Sequence, residues 1–161
     1  MKRLLIDLEK CLACKDRKCS CNYPHRVSNK GVNSLLEEAI FAYVCRQCQE
    51  APCVAVCPNE ALERLQEGTL KRHNARCIGC KSCMLACPFG SLIEEMFQRL
   101  WCECDFCSGR ISGDDEPFCV STCPHGALEY VQVKESRHRN ITFLGDRLAV
   151  RCIPWSRQEQ D

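Results

Sequence analysis

The sequence lacks long apolar runs, and no stretch approaches the roughly 18 consecutive apolar residues typical of a membrane helix. It also lacks the apolar core of a signal peptide, because Asp7 and Glu9 interrupt its first apolar stretch. No twin-arginine signal precedes the first cysteine. We therefore expect no membrane span and a cytoplasmic location, where the reducing environment makes disulfides rare.

An excess of charge of one sign is also missing, since 22 Lys and Arg residues balance 21 Asp and Glu residues. This near balance by itself suggests no special partner, and nucleic acid is not an expected one. The sequence has no glycine-rich phosphate loop and no nucleophile elbow. We therefore assign no catalytic residue and expect no catalytic site in this protein.

Cysteine, by contrast, is abundant: it accounts for 18 of the 161 residues, far above the usual share in globular proteins. Many of these cysteines lie in a repeated pattern, Cys-x3-Cys-Pro, which ends at Pro58, Pro88 and Pro124. In a reducing compartment, clustered cysteines more often bind metals than form disulfides. The chain is therefore interpreted as a repeated metal-binding module.

The repeat that ends at Pro88 has the spacing Cys77-x2-Cys80-x2-Cys83-x3-Cys87, which is the bacterial ferredoxin run for 4Fe-4S clusters. Three closely spaced thiolates can surround one cube, while the fourth cysteine reaches a neighbouring cube. A zinc ribbon needs only pairs of cysteines and gains nothing from the third cysteine or the proline. The spacing therefore favours iron–sulfur clusters over zinc.

Counting this repeat as the third motif, the second is Cys45-x2-Cys48-x4-Cys53-x3-Cys57 and the fourth is Cys104-x2-Cys107-x11-Cys119-x3-Cys123. Both have a longer loop between their second and third cysteines, where length is easily changed. The first motif is Cys11-x2-Cys14-x4-Cys19-x1-Cys21. It is irregular, because only one residue separates its last two cysteines and no proline follows directly. Either Cys21 is its fourth ligand or Cys102 replaces it. The four motifs predict four 4Fe-4S clusters bound by sixteen cysteines: Cys11, Cys14, Cys19, Cys21, Cys45, Cys48, Cys53, Cys57, Cys77, Cys80, Cys83, Cys87, Cys104, Cys107, Cys119 and Cys123.

Residues 5–133 resemble the four-cluster, ferredoxin-like electron-transfer subunits of modular oxidoreductases. Known members accompany molybdenum or tungsten enzymes such as formate dehydrogenases and aldehyde oxidoreductases, hydrogenases and carbon monoxide dehydrogenase. The pair Cys104 and Cys107, followed by a long insertion, is especially similar to that family. The resemblance implies a wire of clusters between a catalytic oxidoreductase subunit and a redox partner, which would be a ferredoxin or a flavin- or nicotinamide-dependent subunit.

The resemblance also implies that motifs exchange their fourth ligands, with the middle two motifs paired and the outer two paired. It implies four ligand sets: Cys45, Cys48, Cys53 and Cys87; Cys77, Cys80, Cys83 and Cys57; Cys11, Cys14, Cys19 and Cys123; and Cys104, Cys107, Cys119 with Cys21 or Cys102. An alternative function is that of a free soluble polyferredoxin that carries electrons between enzymes.

The expected fold class is α+β, with tandem bacterial-ferredoxin-like modules of short strands and helices around a small core organised by clusters. We expect strands at 4–8, 41–44 and 128–133, a hairpin joining 61–64 to 69–72, a helix at 34–42 and a helical turn before each Cys-Pro step. The predicted polyferredoxin domain spans 1–135, with an inner pair of motifs in 45–92 and an outer pair in 1–44 and 93–135. Residues 136–161 are predicted to be a C-terminal docking tail.

Overall fold

The computed structural model describes residues 1–15, 19–23, 30–97 and 103–155. Its strands are β1 Arg3–Asp7, β2 Leu62–Arg64, β3 Leu70–Arg72, β4 Leu128–Val131, β5 Ile141–Leu144 and β6 Leu148–Arg151. Its α-helices are α1 Leu8–Ala13, α2 Val32–Ala39, α3 Pro52–Ala55, α4 Ser82–Ala86 and α5 Phe118–Ser121. This mixture of short helices and short strands confirms the α+β class. Within the described ranges, no helix has the length and apolar character needed to cross a membrane.

The chain divides into two compact units. Unit 1 comprises Met1–Val32 and Cys104–Asp161, and unit 2 comprises Asn33–Glu103. Unit 1 therefore contains the first and fourth cysteine motifs, and unit 2 contains the second and third. The boundaries differ from the predicted ones, because α2 and the segment that follows it belong with the middle motifs.

Unit 1 is built on a four-stranded sheet in the order β4, β1, β6, β5. Strand β1 pairs antiparallel with β4 and parallel with β6. Leu4, Leu5 and Ile6 are almost fully buried, as expected for a central strand whose sequence is a continuous apolar run. One cluster of core side chains joins Leu5 to Ile141 and Ala149 across the sheet. The apolar run near the N-terminus thus supplies the centre of this unit.

The stretch predicted as a docking tail contributes two strands to that sheet. Strands β5 and β6 form an antiparallel hairpin, with Leu144 opposite Leu148, and Gly145 in the turn has φ +69°, which glycine adopts readily. Ile141 of β5 is buried, and so are three consecutive residues of β6, Leu148, Ala149 and Val150. Residues 141–151 are therefore part of the folded unit, while docking by the rest of the tail stays a prediction.

Unit 2 contains the predicted hairpin, because β2 and β3 pair antiparallel with Leu62 opposite Arg72, and their loop turns at Gly68, where φ is +94°. The predicted helix at 34–42 corresponds to α2. The strand predicted at 41–44 is wrong: Ile40–Val44 continues α2 as a π-helix. Ile40 and Phe41 are buried there, and a short apolar run is compatible with a strand or a buried helix.

Short helices precede all three Cys-Pro steps, as predicted. They are α3, α4 and α5, and each carries the third cysteine of its motif. Each helix ends one or two residues before the cysteine that precedes proline, because proline disfavours helical geometry in the residue before it. The third and fourth cysteines of each motif are thereby separated by one helical turn.

Candidate metal centre

The first cavity of unit 2 is lined by four cysteines and has a volume of about 370 Å³, part of it open to solvent. Three of these cysteines, Cys45, Cys48 and Cys53, come from the second motif, and the fourth, Cys87, comes from the third. Burial raises the pKa of the Cys45 thiol, and the nearby thiolates of Cys48 and Cys87 raise it further. Two motifs therefore contribute sulfur to one space.

The second cavity of unit 2 has a volume of about 350 Å³ and the reciprocal lining. It combines Cys77, Cys80 and Cys83 of the third motif with Cys57 of the second. Burial, followed by the thiolates of Cys77 and Cys57, raises the pKa of Cys83 to about 11. Cys80 differs from the others because it is exposed at the surface.

In unit 1, the thiols of the fourth motif gather around Cys21. Burial raises the pKa of the Cys119 thiol, and the thiolates of Cys21, Cys104 and Cys107 raise it further. Burial also raises the pKa of Cys104 to about 11, with Cys21 as a nearby thiolate. Cys21 therefore lies close to the fourth motif despite its distance along the chain.

A second group in unit 1 contains Cys19 and Cys123. Burial raises the pKa of the Cys19 thiol, Lys30 opposes that shift, and Cys123 and Cys21 add to it. The other two cysteines of the first motif are carried by α1, with Cys11 inside the helix and Cys14 as its C-terminal capping residue. Cys102 lies outside the described residues.

Asp7 fixes the start of α1 and so positions these two cysteines. Its Oδ1 accepts a hydrogen bond from the N–H of Lys10 at 3.1 Å, which is a helix N-cap. Its Oδ2 accepts a hydrogen bond from Nη1 of Arg151 in β6 at 3.0 Å. The buried Asp7 carboxylate therefore ties the first motif to the sheet.

Arg110 holds the backbone around Cys21. Its Nη1 donates to the carbonyl oxygens of Cys21 and Asn22, and its Nη2 donates to both carboxylate oxygens of Asp105, at 2.9 and 3.2 Å. Its guanidinium also lies over the Tyr23 ring, 4.3 Å from the centroid. Because Asp105 lies between two cysteines of the fourth motif, this arginine joins the first motif to the fourth.

Backbone N–H groups point at several sulfur atoms. The N–H of Ala61 donates to Sγ of Cys57 at 3.2 Å, and the N–H of Ala127 donates to Sγ of Cys123 at 3.3 Å. The residue before each donor has a positive φ, +48° at Glu60 and +57° at Gly126, a conformation uncommon for residues other than glycine. These turns therefore aim a hydrogen-bond donor at the last cysteine of the motif.

The donor set fits an iron–sulfur cluster. Within the described part of the molecule, no three His, Cys, Asp or Glu side chains stand close enough to share a single metal ion. In unit 2 the cysteines line two cavities instead, as expected for a cubic cluster that binds one thiolate at each iron. Thiolates held close together repel one another, and a cationic metal centre that ligates them offsets that repulsion.

Cys152 has a different environment from the sixteen motif cysteines. Burial raises the pKa of its thiol to about 11, and the carboxylates of Glu9 and Asp7 contribute. No repeat surrounds it in the sequence. No pattern in the sequence indicates the contacts of Arg110 or of the Asp7 carboxylate, because both join residues that are distant in the sequence.

The chain is similar in sequence to known iron–sulfur and electron transport proteins. The profile of the family described as "4Fe-4S dicluster domain" matches residues 36–133. The Escherichia coli (strain K12) protein YsaA is 36 % identical over 155 residues, covering 86 % of this chain and 96 % of that protein. The electron transport protein HydN of the same strain is 32 % identical, covering 80 % of this chain and 87 % of HydN. One polypeptide of the anaerobic dimethyl sulfoxide reductase of that strain is 28 % identical, covering 92 % of this chain and 80 % of that polypeptide.

Proposed function

This protein is a member of the 4Fe-4S dicluster domain family, and we propose that it carries four such clusters as the electron-transfer subunit of an oxidoreductase complex. Its function is electron transfer through 4Fe-4S clusters. The observation that carries the number of clusters is the pair of reciprocal cavities in unit 2. Two clusters there, and two more on the equivalent motifs of unit 1, account for sixteen cysteines.

In unit 2 we propose two ligand sets that exchange their fourth cysteines. One cluster is held by Cys45, Cys48, Cys53 and Cys87, and the other by Cys77, Cys80, Cys83 and Cys57. The support is that the four thiols of each set line one cavity. The exchange follows from the helices α3 and α4, which carry the last cysteine of each motif away from the first three.

In unit 1 we propose that one cluster is held by Cys11, Cys14, Cys19 and Cys123, and the other by Cys104, Cys107, Cys119 and Cys21. The proximity of Cys19 to Cys123 supports the first set. The second set is supported by the proximity of Cys21 to Cys104 and Cys119, and by the N–H of Val32, which donates to Sγ of Cys21 at 3.4 Å. We therefore prefer Cys21 to Cys102.

Each bound cluster would accept and return single electrons. The protein itself holds the sulfur ligands, limits their contact with water and supplies hydrogen bonds that influence the reduction potential. We propose that it has no catalytic site of its own. Substrate chemistry would belong to a catalytic partner, consistent with the name of the dimethyl sulfoxide reductase relative. A ferredoxin or a flavin- or nicotinamide-dependent subunit would complete the electron path.

The test of the ligand sets is iron and sulfide analysis of anaerobically purified protein together with Cys→Ser variants. We expect about 16 iron and about 16 sulfide per protein molecule. Cys87→Ser should remove the same electron paramagnetic resonance (EPR) signal as Cys45→Ser, because both residues would bind one cluster. Loss of the signal that Cys77→Ser removes would instead contradict the exchange of fourth ligands. Two or more zinc ions per molecule would overturn the whole proposal.

The test of the partner is anaerobic purification of the tagged protein from its native cells. A stable complex with an oxidoreductase subunit is the expected result. A lone monomer that still cycles between oxidised and reduced forms would favour the alternative, a free polyferredoxin. We also propose a cytoplasmic location, where clustered cysteines bind metals more often than they form disulfides, and recovery from the periplasm on cell fractionation would contradict it.

A further inference from the structure

Arg72 is a buried cation beside one of the candidate clusters. It lies in β3, and its side chain is only 1 % exposed. Nε and Nη2 donate to Oε2 of Glu37 at 2.8 and 2.6 Å. Nη1 is buried and has no hydrogen-bond partner among the described residues. A buried charged donor without a hydrogen-bond acceptor destabilises the folded state. We therefore expect an acceptor near this nitrogen in the assembled protein.

The cavity beside Arg72 offers sulfur as that acceptor. Arg72 lines the second cavity of unit 2 together with Cys57, Cys77, Cys80 and Cys83, whereas Glu37 is not part of the lining. Burial acts to lower the pKa of Arg72, but Glu37 and the nearby Cys77 thiolate together hold that pKa above its usual value. The positive end of the ion pair is therefore nearer to the candidate cluster than the negative end.

We infer that Arg72 is a positioning residue that donates its Nη1–H to the sulfur of the cluster held by Cys57, Cys77, Cys80 and Cys83, and raises the reduction potential of that cluster. The inference rests on the proposed ligand set. Reduction adds negative charge, so a nearby cation and a hydrogen bond to sulfur favour the reduced form. Because the guanidinium is buried, water screens it weakly.

Other cations near the two cavities of unit 2 lack this burial. Lys81 lines the same cavity, but its side chain is 44 % exposed and pairs with Glu94. Arg46 and Arg64 line the first cavity and are exposed. Solvent screens such charges strongly. Lys81 is therefore a matched control for the effect of an unburied positive charge at the same cluster.

The experiment is a redox titration of the anaerobically purified holoprotein, followed by EPR, with two single variants, their double variant and one control. Arg72→Gln should lower one midpoint potential by at least 59 mV, which for one electron corresponds to a tenfold change in the reduction equilibrium. Glu37→Gln should raise the same potential, because it removes a negative charge while keeping an amide oxygen for Arg72. The double variant should fall between the wild type and Arg72→Gln. Lys81→Gln should leave the potential within a twofold change in the same equilibrium.

The opposite signs distinguish electrostatic tuning from a structural role. If Arg72→Gln and Glu37→Gln move the potential in the same direction, or leave it unchanged with full iron content, the inference about Arg72 is overturned. Should Arg72→Gln fail to assemble because Glu37 is left buried and unpaired, Glu37→Gln and the double variant decide: Glu37→Gln must raise the potential, and the double variant must have a lower potential than Glu37→Gln. The ligand set is tested separately. Cys77→Ser must abolish the EPR signal whose potential shifts in the Arg72 and Glu37 variants. If that signal persists in Cys77→Ser, the ligand set is refuted instead.

Discussion

Replacing Asp7 should weaken unit 1 by a predictable amount. Asp7→Ala removes the N-cap of α1, which is worth about 1 kcal/mol. It also removes the acceptor for Arg151, and a hydrogen bond between charged groups contributes about 1.5–3 kcal/mol when buried. Because the Arg151 side chain is 32 % exposed, we take about 1–2 kcal/mol for that contact. The expected loss in the free energy of unfolding is about 2–3 kcal/mol.

Asp7→Asn separates the two contributions. Asparagine is as good an N-cap as aspartate, so this variant should lose mainly the charge interaction with Arg151, about 1–2 kcal/mol, since the Lys10 ammonium at 3.9 Å is half exposed and screened. The assay is anaerobic urea unfolding of the holoprotein, followed by circular dichroism and by cluster absorbance. Asp114→Ala is the matched control, because the Asp114 side chain is 96 % exposed, and no measurable change is expected. Equal destabilisation by Asp7→Asn and Asp7→Ala would refute the contribution of the cap.

Three further predictions concern the clusters. Cys21→Ser should lower the iron content by about one cluster, whereas Cys102→Ser should change it little and Cys152→Ser not at all; the reverse result for the first two would contradict the proposed ligand. Gly79→Ala should destabilise the protein by about 1–2 kcal/mol, because the φ of Gly79 is +70° and an added Cβ would lie 3.1 Å from a backbone carbonyl oxygen. The control is Gly113→Ala, whose Cβ would meet no atom within 4 Å. It should leave the free energy of unfolding unchanged in the same urea titration. Chelation of iron should unfold the protein cooperatively, and native-like circular dichroism of cluster-free protein would contradict this.

The local features of this fold could be predicted because they depend on short stretches of sequence. The helical turns follow from the spacing Cys-x3-Cys-Pro and from the restriction that proline places on the residue before it. The β2–β3 hairpin follows from Gly68 between two short strands with buried ends. The sequence signal for the β5–β6 hairpin was also present, with Gly145 between two apolar runs, but the arginine-rich composition of the tail favoured a different interpretation.

The remaining features depend on contacts between distant residues. Whether residues 41–44 form a strand or a helix is undecided by an apolar run of that length, and packing in unit 2 makes it a π-helix. The proximity of Cys21 to Cys119 follows from folding that joins both ends of unit 1. The ion pair of Arg72 and Glu37 likewise joins β3 to α2, and no pattern in either segment indicates it.

The position of β1 between β4 and β6 affects the order in which the protein can assemble during synthesis. Unit 2 is one continuous stretch of residues that ends at Glu103, so all of it has been synthesised before the fourth motif. Unit 1 needs its first strand to pair with β6, which is made much later. Since domains made early tend to fold early on the ribosome, the middle motifs become available for cluster insertion first. The first motif has to wait, and cellular factors that protect nascent thiols would be needed there longest.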